Sequence, residues 1–136
     1  MPHLARNGGG AILNVLSAMS WFGYDGGNGY YVAKAAAWAA TNGLRGELAG
    51  QGTQVTALHV GLIDTDLSAG VPGAKLLPAS VADIALNGLE RGDVEVLADL
   101  WSRTVKGYLA LDPAEASQRI GADLALVLSP ARGDAA

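Results

Sequence analysis

Residues 11–60 read AILNVLSAMSWFGYDGGNGYYVAKAAAWAATNGLRGELAGQGTQVTALHV, and this stretch decides the fold. It opens on the apolar run Ala11-Ile12-Leu13-Asn14-Val15-Leu16, set off by the turn signal Asn7-Gly8-Gly9-Gly10. A short apolar run bounded by glycines suits a buried strand. Ser17 to Gly29 is rich in Gly, Ser and aromatics and reads as a loop. From Tyr30 to about Ala49 there is no Pro and much Ala, with Leu44 and Leu48 four residues apart. A helix is predicted there, closed by the stop signal Gly50-Gln51-Gly52. Gln54 to Val60 alternates polar and apolar at first and reads as a second strand.

Outward from this core the same alternation continues. Gly61 to Pro78 is a long loop with room for a helical turn near Asp66–Ala69. Pro78-Ala79-Ser80 opens a helix, with Ser80 and Asp83 as a capping pair and Val81, Ile84, Ala85 and Leu89 as its apolar stripe. Gly92 ends it, and Val94 to Leu97 is a short third strand. Asp99 to Leu111 is helical in pattern. Asp112-Pro113 then starts a last helix, with Asp112 as cap and Pro113 at the first position, running to about Leu128. Strand, helix, strand, helix, strand is the α/β pattern of a parallel sheet with crossover helices. One domain over residues 1–128 and a flexible tail over 129–136 are expected. Within the long helix, Ala36, Ala39, Ala40 and Gly43 recur at spacings of three and four and leave one face nearly smooth. That face either packs on its own sheet or meets another subunit.

Composition bounds the function. The 136 residues are half apolar and only 16% charged, against a usual ~25%, which excludes a disordered chain. A net charge of −4 with no basic block argues against nucleic acid and anionic membrane surfaces as partners. Without cysteine there is no disulfide, thiolate metal site or cysteine nucleophile. The two histidines, His3 and His59, are far apart in sequence, so no metal site is expected. No apolar run approaches a membrane span, and no signal-peptide pattern precedes the first strand; a cytoplasmic location is expected.

The chemistry concentrates at the junctions of these elements. Tyr30 and Lys34 lie four apart at the head of the helix and share a face. An ammonium beside a phenol favours the phenolate, and the positive helix N-terminus adds to that. Such a phenol is a general acid/base. Ser17 lies just past the first strand, where its hydroxyl can bond the oxygen of an alcohol or carbonyl. Met19, Trp21 and Phe22 follow it, as pocket wall or as loop packing. Gly27-Asn28-Gly29 precedes a helix but lies about ten residues past the strand, too far for a dinucleotide fingerprint. The pair Asp64 and Asp66 reads as helix capping, His59 as a packed or strand-edge histidine, and Tyr31 as core or pocket wall.

Asn14-Val15-Leu16-Ser17, Tyr30-Tyr31-Val32-Ala33-Lys34 and Val60-Gly61-Leu62-Ile63-Asp64-Thr65 together resemble the second half of the short-chain dehydrogenases/reductases. There a strand ends in Asn-x-x-Ser, a helix opens on Tyr-x-x-x-Lys, and the next strand ends in Pro-Gly-x-x-x-Thr. The resemblance is close from about Gly8 to Asp66 and softer from Ser80 to Asp112; Val60 stands where the family usually has Pro. It implies a Rossmann-like parallel sheet with flanking helices, the C-terminal half of a doubly wound fold. It also implies NAD or NADP as cofactor and hydride transfer between nicotinamide and a small alcohol or carbonyl substrate. Ser17 would polarise the substrate oxygen, with Ala18 and Met19 beside it against the substrate. Tyr30 would be the general acid/base. Lys34 would ease the loss of the Tyr30 proton and hold the nicotinamide ribose. Gly61, Ile63 and Thr65 would hold the nicotinamide. Leu67 to Leu77 would be the substrate lid, and the apolar Met19, Trp21, Phe22, Leu76 and Leu77 point to a hydrophobic substrate.

The family's phosphate loop and the rest of its cofactor half correspond to nothing after Met1. The expectation is therefore a C-terminal half whose activity is conditional on an N-terminal half, inactive on its own and homo-oligomeric through the 30–49 helix. The alternatives are a non-catalytic truncated remnant or self-associating interaction module, and an unrelated α/β domain.

Overall fold

The apolar run becomes strand β1, Gly10–Val15, and it pairs in parallel with β2, Thr53–His59, in the register Gly10↔Thr53 to Val15↔Leu58. The third strand β3, Glu95–Leu97, pairs with the other edge of β2, His59 facing Leu97. These strands form a parallel sheet of order β1-β2-β3 in the computed structural model, which describes residues 2–24 and 26–129. The predicted tail past Ser129 lies outside the described residues. Parallel neighbours need crossover helices. These are α2, Asn28–Ala49, between β1 and β2, and α3, Pro78–Glu90, between β2 and β3. Helices α4, Leu100–Tyr108, and α5, Pro113–Val127, follow.

Alternation along the strands divides the core. Leu58 and Val60 point to one face and pack with Val81 and Ala85 of α3 and with Val96 and Ala98. The opposite face carries His59, which stacks on Trp21, and Trp21 in turn meets Trp38 of α2 edge-on. A second cluster joins Ala18, Val105 of α4 and Ile120 of α5. Polar contacts from two side chains fix the crossovers. Asn14 of β1 donates to the Thr41 hydroxyl of α2 at 2.9 Å, and Thr41 is fully buried. Arg45 of α2 reaches the carbonyls of Val55 and Val94.

Four readings change. Pro2–Arg6 is a short helix, α1, where the sequence pattern gave no element. Helix α2 starts two residues before Tyr30, with Gly27 in the N-cap position. Helix α3 starts at Pro78 with Leu77 as N-cap and no side-chain cap, so Ser80 and Asp83 are not a capping pair. Proline presets the first helical φ and has no N–H to satisfy, which places the start ahead of the serine. After β2 the short turn Asp66–Ser68 is capped by Thr65 with Ser68, not by an aspartate. The smooth face of α2 also resolves one alternative: Ala36, Ala39, Ala40 and Gly43 are exposed rather than packed on the sheet.

Candidate active site

Each strand hands its carboxyl end to a loop, and in an open parallel sheet ligands bind outside those ends. Ser17 follows β1, Gly61 follows β2 and Asp99 follows β3. The ladder continues past the strands, with Leu16 N–H donating to Leu58 O at 2.7 Å and Ala18 N–H to Val60 O at 3.2 Å. That extension fixes Ser17 alongside His59 and Val60.

Ser17 is buried and extended, and it caps the turn Ala18–Ser20. Its Oγ accepts Met19 N–H at 3.1 Å. With that lone pair engaged, the hydroxyl proton remains to donate toward the cavity. Tyr30 sits in the first turn of α2 and is 43% exposed. One turn on, Lys34 places Nζ 5.7 Å from the Tyr30 ring centre. The same Nζ donates to Val15 O at 3.0 Å. The carbonyl at the end of β1 thereby holds the ammonium beside the tyrosine.

The neighbouring Tyr31 is turned away. Its ring lies against Gly23 and Gly27, so close that a Cβ on Gly27 would collide with its hydroxyl. Burial, helped by the Tyr24 hydroxyl, pushes Tyr31 up to about 12. Gly27 thus serves the passage of this ring, as expected of a loop glycine rather than a phosphate-binding one.

Gly61 is pinned from behind. Asp99 Oδ2 accepts Gly61 N–H at 2.6 Å while Oδ1 caps α4 through Ser102 N–H at 2.7 Å. A Cβ on Gly61 would meet Asp99 Oδ2 at 2.9 Å and Trp101 at 3.0 Å, so the close approach requires glycine. Ile63 then pairs with Leu76 in an isolated parallel bridge, which ties the loop 67–77 back to the end of β2. The Thr65 hydroxyl reaches Ile63 O at 3.5 Å.

These groups enclose one cavity of about 350 Å³. Ser17, Tyr30 and Lys34 line it together with Gly61, Ile63 and Thr65, and Met19 and Tyr24 border them. Leu67 and Val71 of the expected lid line it too, and Leu124, Val127 and Leu128 close it from the end of α5. The sequence reading missed the contribution of α5, although 124, 127 and 128 stand at helical i, i+3, i+4 spacing. Ala18 stands apart: it is fully buried against Val105 and Ile120, and its side chain does not line the cavity. Trp21 and Phe22 likewise pack into that cluster, Leu76 packs beside the α3 core, and Leu77 is exposed at the head of α3. Among the described residues no cluster of His, Asp or Glu could hold a metal ion. Nor is any described helix long and apolar enough to cross a membrane.

A nicotinamide ring with its ribose fits this donor set. An ammonium, a phenol, a threonine hydroxyl and the Ile63 peptide all border the cavity. No glycine-rich turn follows a strand at a helix start among the described residues, so the fit concerns the nicotinamide end alone.

Comparison with known proteins bears on the family and the fold. The short chain dehydrogenase family model matches residues 1–75. A short chain dehydrogenase from Burkholderia cenocepacia, solved in complex with NADP, superposes with a TM-score of 0.80 at 34% identity. That match covers 88% of this chain and 50% of the other. An uncharacterised oxidoreductase of Mycobacterium tuberculosis is 40% identical over 68 residues, half of this chain and 27% of the relative. A 3α-hydroxysteroid dehydrogenase of Mediterraneibacter gnavus is 34% identical over 96 residues, 71% of this chain and 37% of the relative. The chain thus spans half the length of the solved structure and a smaller share of these relatives.

Proposed function

The chain belongs to the short-chain dehydrogenase family, and from that premise we propose that it carries the catalytic half of an NAD(P)-dependent oxidoreductase acting on an apolar alcohol or ketone. The observation that carries the reading is the gathering of Ser17, Tyr30 and Lys34 with Gly61, Ile63 and Thr65 around one cavity. When bound, a nicotinamide cofactor supplies or accepts the hydride.

The chain's own residues supply orientation and proton transfer. Ser17 donates its free hydroxyl proton to the substrate oxygen. Tyr30 gives its phenolic proton to that oxygen in reduction and takes it back in oxidation. The Lys34 ammonium stabilises the negative charge on Tyr30 in between, as does the positive end of α2. Lys34 would also bond the nicotinamide ribose, and Gly61, Ile63 and Thr65 would hold the nicotinamide. Met19, Leu67, Val71, Leu124 and Val127 give the cavity apolar walls, which favour a bulky apolar secondary alcohol over a charged one. The relative named as a hydroxysteroid dehydrogenase supports that class, and the neighbour solved with NADP supports the cofactor.

Tyr30→Phe tests the assignment in the full-length protein. Turnover of an apolar ketone should fall by 10²–10⁴-fold, the usual contribution of a positioned proton donor, while cofactor binding followed by fluorescence stays unchanged. Undiminished turnover overturns the reading. A second reading, a self-associating module, is favoured by one observation: Val32, Ala36, Ala39, Ala40 and Gly43 make an exposed, nearly smooth apolar face on α2. It is compatible with the first, as a homo-oligomer of an enzyme.

A further inference from the structure

We propose that His59 is a positioning residue for the site, holding the Ser17 carbonyl so that the serine hydroxyl faces the substrate. The inference rests on the reading of Ser17 just given. His59 is the last residue of the central strand and its side chain is fully buried. Its ring is stacked on Trp21, centres 3.9 Å apart and planes within 19°. Nδ1 lies 2.9 Å from Ser17 O. A carbonyl oxygen only accepts, so Nδ1 carries the proton.

The remaining nitrogen explains how that tautomer is kept. Nε2 has no hydrogen-bond partner among the described residues, and Glu95 Oε1 stands 3.6 Å away. A carboxylate so close would draw a proton to Nε2 and take it from the Ser17 contact. Lys106 opposes this: its Nζ is 2.8 Å from Glu95 Oε2 and lies over the Trp21 ring at 4.8 Å. Burial favours the neutral ring further. The groups facing His59 are therefore Trp21, Glu95 and Lys106; the Ser17 carbonyl selects Nδ1–H, and the Lys106–Glu95 pair weakens the competing pull on Nε2.

The Ser17 carbonyl is held twice, by His59 Nδ1–H and by Ser20 N–H at 3.0 Å. Fixing that peptide plane fixes the ψ of Ser17 and with it the direction of Cα–Cβ. The hydroxyl oxygen is then set by Met19 N–H. Ser20 and Met19 act within the same turn, so among the described residues only His59 ties the serine to the sheet through a side chain.

Asparagine and glutamine separate this role from packing. Asn places its amide N–H where Nδ1 stands; Gln places it where Nε2 stands. In the full-length protein, His59→Asn should keep kcat within a few-fold, whereas His59→Gln should lower kcat by about 10- to 100-fold, the scale of an ångström of misplacement. The Kd for NADP should be unchanged in both. Equal kcat in the two variants, high or low, overturns the proposal. Nitrogen-15 spectra of histidine-labelled protein give a readout independent of activity. The neutral Nδ1–H tautomer is expected for His59, and the Ala18 amide, in the same peptide as Ser17 O, should shift in His59→Gln but not in His59→Asn. A neutral Nε2–H tautomer, or an Ala18 amide indifferent to both changes, overturns the proposal. Wild-type protein without turnover, but with these spectra as expected, removes the oxidoreductase reading and leaves the His59 contact standing.

Discussion

Tyr30 and Tyr31 are adjacent in the chain, and their environments divide them. Tyr31 is buried with the Tyr24 ring beside it and pushed up to about 12, so at neutral pH it is a fixed phenol. Tyr30 stands in the cavity with the Lys34 ammonium one turn away. His59 shows the same control by surroundings. Its folded-state pKa lies below the usual ~6.5, with burial the largest cause and Lys106 adding to it, against Ser17 O and Glu95. The sign follows from proton uptake: below ~6.5 the unfolded chain binds a proton that the folded ring resists, so stability rises with pH through this window. It is fully present above ~6.5 and declines as pH falls toward the folded value. Urea denaturation at stepwise pH should show this decline in the wild type and a shallower one in His59→Asn. Parallel slopes in the two would remove His59 as the cause.

At the level of elements, the capping of two helices separates pattern from position. Asp112 accepts Ala114 N–H at 2.9 Å ahead of Pro113, as the sequence indicated. Ser80 falls inside the first turn of α3 because Pro78 has already begun the helix. Asp112→Ala should therefore cost about 1 kcal/mol, and Ser80→Ala less than ~0.5 kcal/mol, both read from denaturant midpoints. A larger loss in Ser80→Ala would restore the serine as a cap. The elements themselves were legible because glycines and prolines bound each periodic run. Helix α1 was not: five residues with none buried leave no hydrophobic period to read. The pair Tyr30 and Lys34 was legible because a helix fixes i, i+4 geometry whatever surrounds it. The contacts behind the site were not. His59 reaches Ser17 across 42 residues and Asp99 reaches Gly61 across 38, and both depend on strand register, which no local pattern states.

For the whole molecule, the sheet explains why one face of α2 is left bare. Tyr31, Thr41 and Leu48 turn inward, and Trp38 meets Trp21, so the helix is anchored by its inner stripe. The outer stripe of Val32, Ala36, Ala39, Ala40 and Gly43 is exposed among the described residues. Val32 is 68% exposed. Small side chains let two backbones approach closely, and burying such a stripe against a second copy would remove apolar surface from water on both partners. A carboxylate placed there would be forced into that contact without a partner charge. Ala39→Glu should therefore shift the protein from an oligomer to a smaller species in sedimentation velocity. Its melting temperature at low concentration should change little, because the position is solvent-exposed within the chain. An unchanged sedimentation coefficient would mean that the stripe is bare in the assembled protein as well, and that α2 contributes only its inner face and the Tyr30–Lys34 turn.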